Sequence, residues 1–62
     1  MNVPTYDLFC GSNSQDAMWV EAVEGFGCAY KRMEELAADN PGAYFIYFTK
    51  DNRVVANIDT SM

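Results

Sequence analysis

The stretch Ala43-Tyr44-Phe45-Ile46-Tyr47-Phe48-Thr49 constrains this chain more than any other. It is built from aromatic and branched side chains that suit a pleated surface, and it predicts a strand. Asn40-Pro41-Gly42 stands immediately before it. A residue preceding proline is biased away from helical dihedrals, and Pro-Gly makes a turn, so the strand has an abrupt start. Lys50-Asp51-Asn52-Arg53 follows, with Asp-Asn at the centre of a tight hairpin because both residues tolerate positive φ. Val54-Val55-Ala56-Asn57-Ile58 then returns as the partner strand. Strand side chains alternate, and here both sets are apolar. A one-residue slip in register would not make either face polar.

The N-terminal half repeats the hairpin logic. Thr5-Tyr6-Asp7-Leu8-Phe9-Cys10 reads as a strand, and Gly11-Ser12-Asn13-Ser14-Gln15-Asp16 is a run of turn formers. Ala17-Met18-Trp19-Val20-Glu21-Ala22-Val23 reads as the second strand. From Phe26 the period changes. Phe26, Ala29, Met33, Leu36 and Ala37 form the stripe of an amphipathic helix, with Lys31, Arg32, Glu34 and Glu35 on its outer side. Glu24 near the entry suits the positive end of the helix dipole. Gly25 and Gly27 lower helix propensity and blur the start by a turn.

These elements predict an α+β fold, ββαββ, with a four-stranded antiparallel sheet and one helix packed on one face. Residues 5–59 make the single domain, and 1–4 and 60–62 are short tails. At 62 residues the chain is too short for two cores. No apolar run approaches the ~18 residues of a membrane span, and no basic segment precedes an apolar block at the N-terminus.

Trp19 in the second strand, an acidic helix start, Met33-Glu34-Glu35-Leu36-Ala37, the run from Asn40 to Phe48 and the terminal Val54-Val55-Ala56-Asn57-Ile58 together resemble small single-domain bacterial proteins with no assigned biochemical role. The resemblance covers about residues 5 to 59 and is most specific from Asn40 to Phe48. It implies a two-hairpin, one-helix fold and a cytoplasmic bacterial setting, with no active site to carry over. Gly25 and Gly27 depart from the more polar helix start of that pattern.

Chemistry is limited by what the chain lacks. Nine carboxylates against four basic residues give a formal net charge of −5. Such a balance disfavours nucleic acid and anionic membranes, whose binding depends on clustered Lys and Arg. There is no histidine, which removes the usual general base, the usual metal ligand and the common nucleophile pairs. Cys10 and Cys28 form no Cys-x-x-Cys pair, so no zinc site and no cofactor is expected. Two cysteines without a secretion signal read as free thiols, small buried hydrophobes in a cytoplasmic protein, with a disulfide as the alternative. Gly25-Phe26-Gly27 lacks the third glycine of a dinucleotide loop and reads as a hinge. Glu34 and Glu35 point about 100° apart on a helix and cannot flank one bond. Asp7 and Glu21, if neighbours across the first hairpin, could share a proton as an acid–base pair, although such exposed pairs usually only limit edge association.

One helix covers one sheet face. Alternation puts Tyr6, Leu8, Cys10, Met18, Val20, Ala22, Tyr44, Ile46, Phe48, Ala56 and Ile58 beneath it. The other face then carries Asp7, Phe9, Trp19, Glu21, Phe45, Tyr47, Val55 and Asn57. A sheet face open to water is expected to be polar, and this one is aromatic. The expected function is therefore that of a non-enzymatic module associating with itself through Phe9, Trp19, Glu21, Phe45, Tyr47 and Val55. Another protein, or a flat apolar ligand, is the alternative occupant. RNA-binding sheets also display aromatics, but Arg and Lys flank those, whereas Asp7 and Glu21 flank this one.

Overall fold

The computed structural model describes residues 3–12 and 15–61. Its elements are β1 (Thr5–Cys10), β2 (Met18–Glu24), α1 (Phe26–Asp39), β3 (Ala43–Phe48) and β4 (Arg53–Asp59). The fold is α+β: a four-stranded antiparallel sheet of order β2-β1-β3-β4 with one helix packed against it. Because β1 lies between them, β2 and β3 run in the same direction, and α1 is the crossover that joins them. In the loop 11–16, residues 13 and 14 lie outside the described residues.

The helix begins at a glycine for a physical reason. Gly25 has φ 87° and ψ 134°, a conformation that L side chains rarely adopt. It turns the chain from β2 into α1 while its carbonyl accepts from the Ala29 amide at 3.0 Å and its own amide donates to the Pro4 carbonyl at 2.8 Å. At the other end the Asn40 amide donates to the Leu36 carbonyl at 2.8 Å, and Asn40 is already extended, as a following proline requires. Ala29, Met33 and Ala37 are buried against Leu8, Tyr44 and Ile46. Two small residues flanking one methionine let the helix approach the sheet closely.

Thr60, expected in a polar tail, is half-buried and ties helix to sheet. Its hydroxyl donates to the Ala37 carbonyl at 3.1 Å and accepts from the Gly42 amide at 3.1 Å, while its amide donates to the Gly42 carbonyl at 2.9 Å. Tyr44 adds a hydroxyl donated to the Asn40 carbonyl at 2.7 Å. Thr60→Val keeps the shape and removes the hydroxyl. It is expected to cost about 1–2 kcal/mol and to lower the melting temperature by about 5–10 °C; calorimetry showing no shift would rule out this role.

Two β-bulges alter which side chains face the helix. In β2 the register shifts so that Leu8 opposes Glu21 and Phe9 opposes Trp19, leaving Val20 as the extra residue. In β4 the shift leaves Val55 extra, between Ala56 opposite Ile46 and Val54 opposite Tyr47. A bulge inserts one residue and breaks strict alternation. Val20 and Glu21 both turn to the helix side, as do Val55 and Ala56, and Val20, Val55 and Ala56 pack against the core. Ala22, expected beneath the helix, opposes Asp7 and faces outward.

The cysteines are free, as expected, but both are exposed rather than buried. Cys10 ends β1 opposite Tyr44, by the C-terminal end of α1, whereas Cys28 lies in the helix's first turn. Some twelve helical residues separate those ends, about 18 Å at 1.5 Å per residue, which is too far for a disulfide.

Candidate functional site

Cross-strand partners share a face, so the register shows what the outer face carries. One row runs Trp19, Phe9, Phe45, Asn57 across all four strands, and the next runs Ala22, Asp7, Tyr47, Val54. Phe9, Trp19, Phe45 and Tyr47 thus stand together on the face away from α1. Glu21 and Val55, expected beside them, do not. The β2 bulge turns Glu21 to the helix, where its carboxylate accepts from the Arg32 Nε at 3.1 Å. The β4 bulge turns Val55 inward and leaves Val54 on the outer face.

The four aromatics are not equivalent. The Phe9 and Phe45 rings stack with centroids 5.1 Å apart and planes within 8°, and Tyr47 meets Phe9 edge-on at 6.2 Å. Phe45, on an inner strand beneath these neighbours, is only 3% exposed. It belongs to a small apolar layer of the sheet's own, separate from the core under the helix. Trp19, on edge strand β2, is 59% exposed. Its indole N–H donates to the Asp7 carboxylate at a long 3.4 Å. Val54, on the opposite edge strand, is 44% exposed. Beside it a depression of about 430 Å³ is lined by Phe9, Phe45, Tyr47, Asn52, Arg53 and Val54. At its rim the Tyr47 hydroxyl donates to the Asn52 side chain at 3.3 Å, and Arg53 lies 3.8 Å from Asp51.

The arrangement separates the one carboxylate pair that could have shared a proton. Asp7 is on the outer face with Trp19, and Glu21 is on the helix side with Arg32. The Arg32 guanidinium is held above its ordinary pKa by the hydrogen bond and charge of Glu21 and, less, by Glu35 at 3.4 Å. The Tyr44 hydroxyl is raised by burial first and by the neighbouring Cys10 second. Among the described residues no group of three or more His, Cys, Asp or Glu side chains could hold a metal ion, and no helix is long and apolar enough to cross a membrane.

A second aromatic cluster escaped the sequence reading. Tyr6 stacks on Phe48 at 4.9 Å and meets Phe26 edge-on at 5.6 Å, and Phe26 lies 6.0 Å from Tyr30. Phe26 and Tyr30 remain 42% and 37% exposed at the start of α1. Their i, i+4 spacing was the available signal: only Phe26 fell on the assigned helical stripe, yet the two neighbour each other on the helix surface. No protein-family model, no curated protein and no solved structure matches the chain.

Proposed function

We propose that the protein is a non-enzymatic assembly module that self-associates through the outer face of its sheet. The observation that supports this reading most is Trp19, the chain's single tryptophan, left 59% exposed on a face that also carries Phe9, Phe45 and Tyr47. Exposed tryptophans beside packed aromatics are the usual anchors of protein interfaces. Size points the same way. A chain of about sixty residues buries only ~60% of its unfolded surface, so cover from a second copy adds stability that its own core supplies sparingly. Closed two-fold pairs are the commonest way for one chain to cover itself. Exposed free thiols at Cys10 and Cys28 fit a reducing, cytoplasmic setting.

Light scattering on a sizing column tests the reading. The wild-type chain is expected above monomer mass at ~100 µM, the range suited to a small interface. Trp19→Asp is expected to be monomeric there with unchanged helical circular dichroism. A wild-type chain that stays monomeric at several times that concentration would overturn the proposal. Salt separates self-association from capture of a basic partner. Two copies each carrying −5 repel, so raising ionic strength toward ~0.5 M is expected to tighten the homomeric pair. Binding to a basic partner would instead weaken.

A further inference from the structure

We propose that a hollow at one end of the outer sheet face binds a small guanidinium-bearing molecule between Asn57 and Asp59. The hollow measures about 240 Å³, and its lining includes Gly11, Ser12, Ala43, Phe45, Asn57 and Asp59. All of these belong to one chain, so the inference goes beyond self-association and does not rest on it. The register explains why a hollow forms there. Ala43 pairs with Asp59, and Phe45, two residues on, pairs with Asn57. Gly11 continues β1 beside Ala43, its amide donating to the Ala43 carbonyl at 2.8 Å. A row of Gly11, Ala43 and Asp59 therefore follows the row of Phe9, Phe45 and Asn57 on the same face. Its first two positions carry no side chain and a single methyl, so the floor drops beside the Phe45 ring. That low wall is fixed. A Cβ at Gly11 would come within 2.9 Å of the Ala17 Cα, and φ there is 143°.

Asp59 gives the hollow its chemistry. Among the described residues it is the one charged side chain in the lining, and no Lys or Arg pairs with it. Its Oδ1 accepts from the Ser61 hydroxyl at 2.6 Å and from the Ser61 amide at 3.0 Å. Ser61 is itself placed by the preceding Thr60, whose amide donates to the Gly42 carbonyl at 2.9 Å. The carboxylate is thus oriented before any ligand arrives, and Oδ2 is used by neither bond. The Ser61 hydroxyl first, and its amide second, hold the Asp59 carboxyl below its ordinary pKa, so it stays ionised at neutral pH. The exposed Asn57 offers a second acceptor, its side-chain carbonyl, about 6.7 Å along the same strand face. A planar guanidinium donates from different nitrogens to acceptors on opposite sides, whereas an ammonium offers all its protons from one centre. The Phe45 ring beside the floor suits a flat cation as well. The volume lies below that of sites for drug-sized ligands, which limits the molecule to a guanidinium with a short alkyl chain.

Titration of ethylguanidinium into the labelled chain, followed by two-dimensional NMR, tests the site. The chain is held at about 20 µM, below the range expected for pairing, so the outcome is separate from that of self-association. Saturable shifts at the amides of Ser12, Ala43, Asn57 and Asp59 are expected, with a Kd of about 1 mM for so small a ligand. Ethylurea has the same shape without the charge and is expected to bind at least ~10-fold more weakly. Asp59→Asn keeps the acceptor for Ser61 but removes the charge, and a loss of at least ~10-fold is expected. Ala43→Leu fills the floor and is expected to abolish the shifts while the circular dichroism is unchanged. No saturable shift up to about 20 mM, or binding that survives Asp59→Asn, would overturn the proposal. Equal binding of ethylurea or of ethylammonium would overturn the assignment of the ligand as a guanidinium.

Discussion

Ile46→Ala is expected to remove a large share of the chain's folding stability. Ile46 is fully buried at the centre of β3, between Leu8 on β1 and Ala56 on β4, in the core cluster that includes Met33 of the helix. Removing a buried aliphatic side chain costs about 2–5 kcal/mol, because the cavity left behind closes only in part. At about 0.05–0.15 kcal/mol per residue, a chain this small holds roughly 3–9 kcal/mol in total. The loss is therefore a large share of everything that keeps it folded. The few residues in the core give little scope for repacking: Ala29 and Ala37 are already minimal, and Met33 alone has the flexibility to fill a gap. Urea unfolding followed by circular dichroism measures the effect. A midpoint that falls by less than a fifth would mean that the layer under the helix is not the main source of stability.

Phe45→Asp is expected to unfold the chain, whereas Trp19→Asp leaves it folded. Both residues lie on the outer face and in the same cross-strand row, yet they do different things. Phe45 is sealed beneath Phe9 and its β4 neighbours, so a carboxylate there loses its water without gaining a partner. The cost combines about 3–5 kcal/mol for the lost ring with the penalty of a buried, unpaired charge. Trp19 is already mostly in water, so aspartate there removes surface that the fold itself does not cover. Two-dimensional NMR of the paired variants decides the matter. A dispersed spectrum for Phe45→Asp at wild-type stability would show that the outer layer does not support the fold. A collapsed spectrum for Trp19→Asp would show that the indole does.

The hairpins, the helix and its stop at Asn40-Pro41-Gly42 were legible because each is written locally, in period and turn chemistry. The order β2-β1-β3-β4 was not, since docking one hairpin beside the other rests on contacts distant in sequence. The bulges explain the misplaced residues. A strict alternation through Val20-Glu21-Ala22-Val23 aims Glu21 outward, but one extra residue reverses it, and Glu21 meets Arg32 instead. A trace was present: Val20 and Val23, both turned to the core, are three apart, a spacing that no regular strand gives two residues on one face. In β4 the matching sign was the adjacent pair Val55 and Ala56, both inward. Four aromatics on one face were legible from period alone. That Phe45 is buried among them while Trp19 stands in water was not, because it depends on which strands are inner and which are edges.

Covering of the outer face by a second copy is best tested through the tryptophan itself. Acrylamide quenching of Trp19 should be followed as the chain is concentrated from about 1 µM to several hundred µM, the span in which a small interface fills. The quenching constant is expected to fall severalfold with a parallel blue shift in emission; with excitation beyond the tyrosine absorption band, Trp19, the single tryptophan, is the source of the signal. A constant that stays flat, with emission fixed at that of a solvated indole, would mean that this face remains wet and that no second copy covers it.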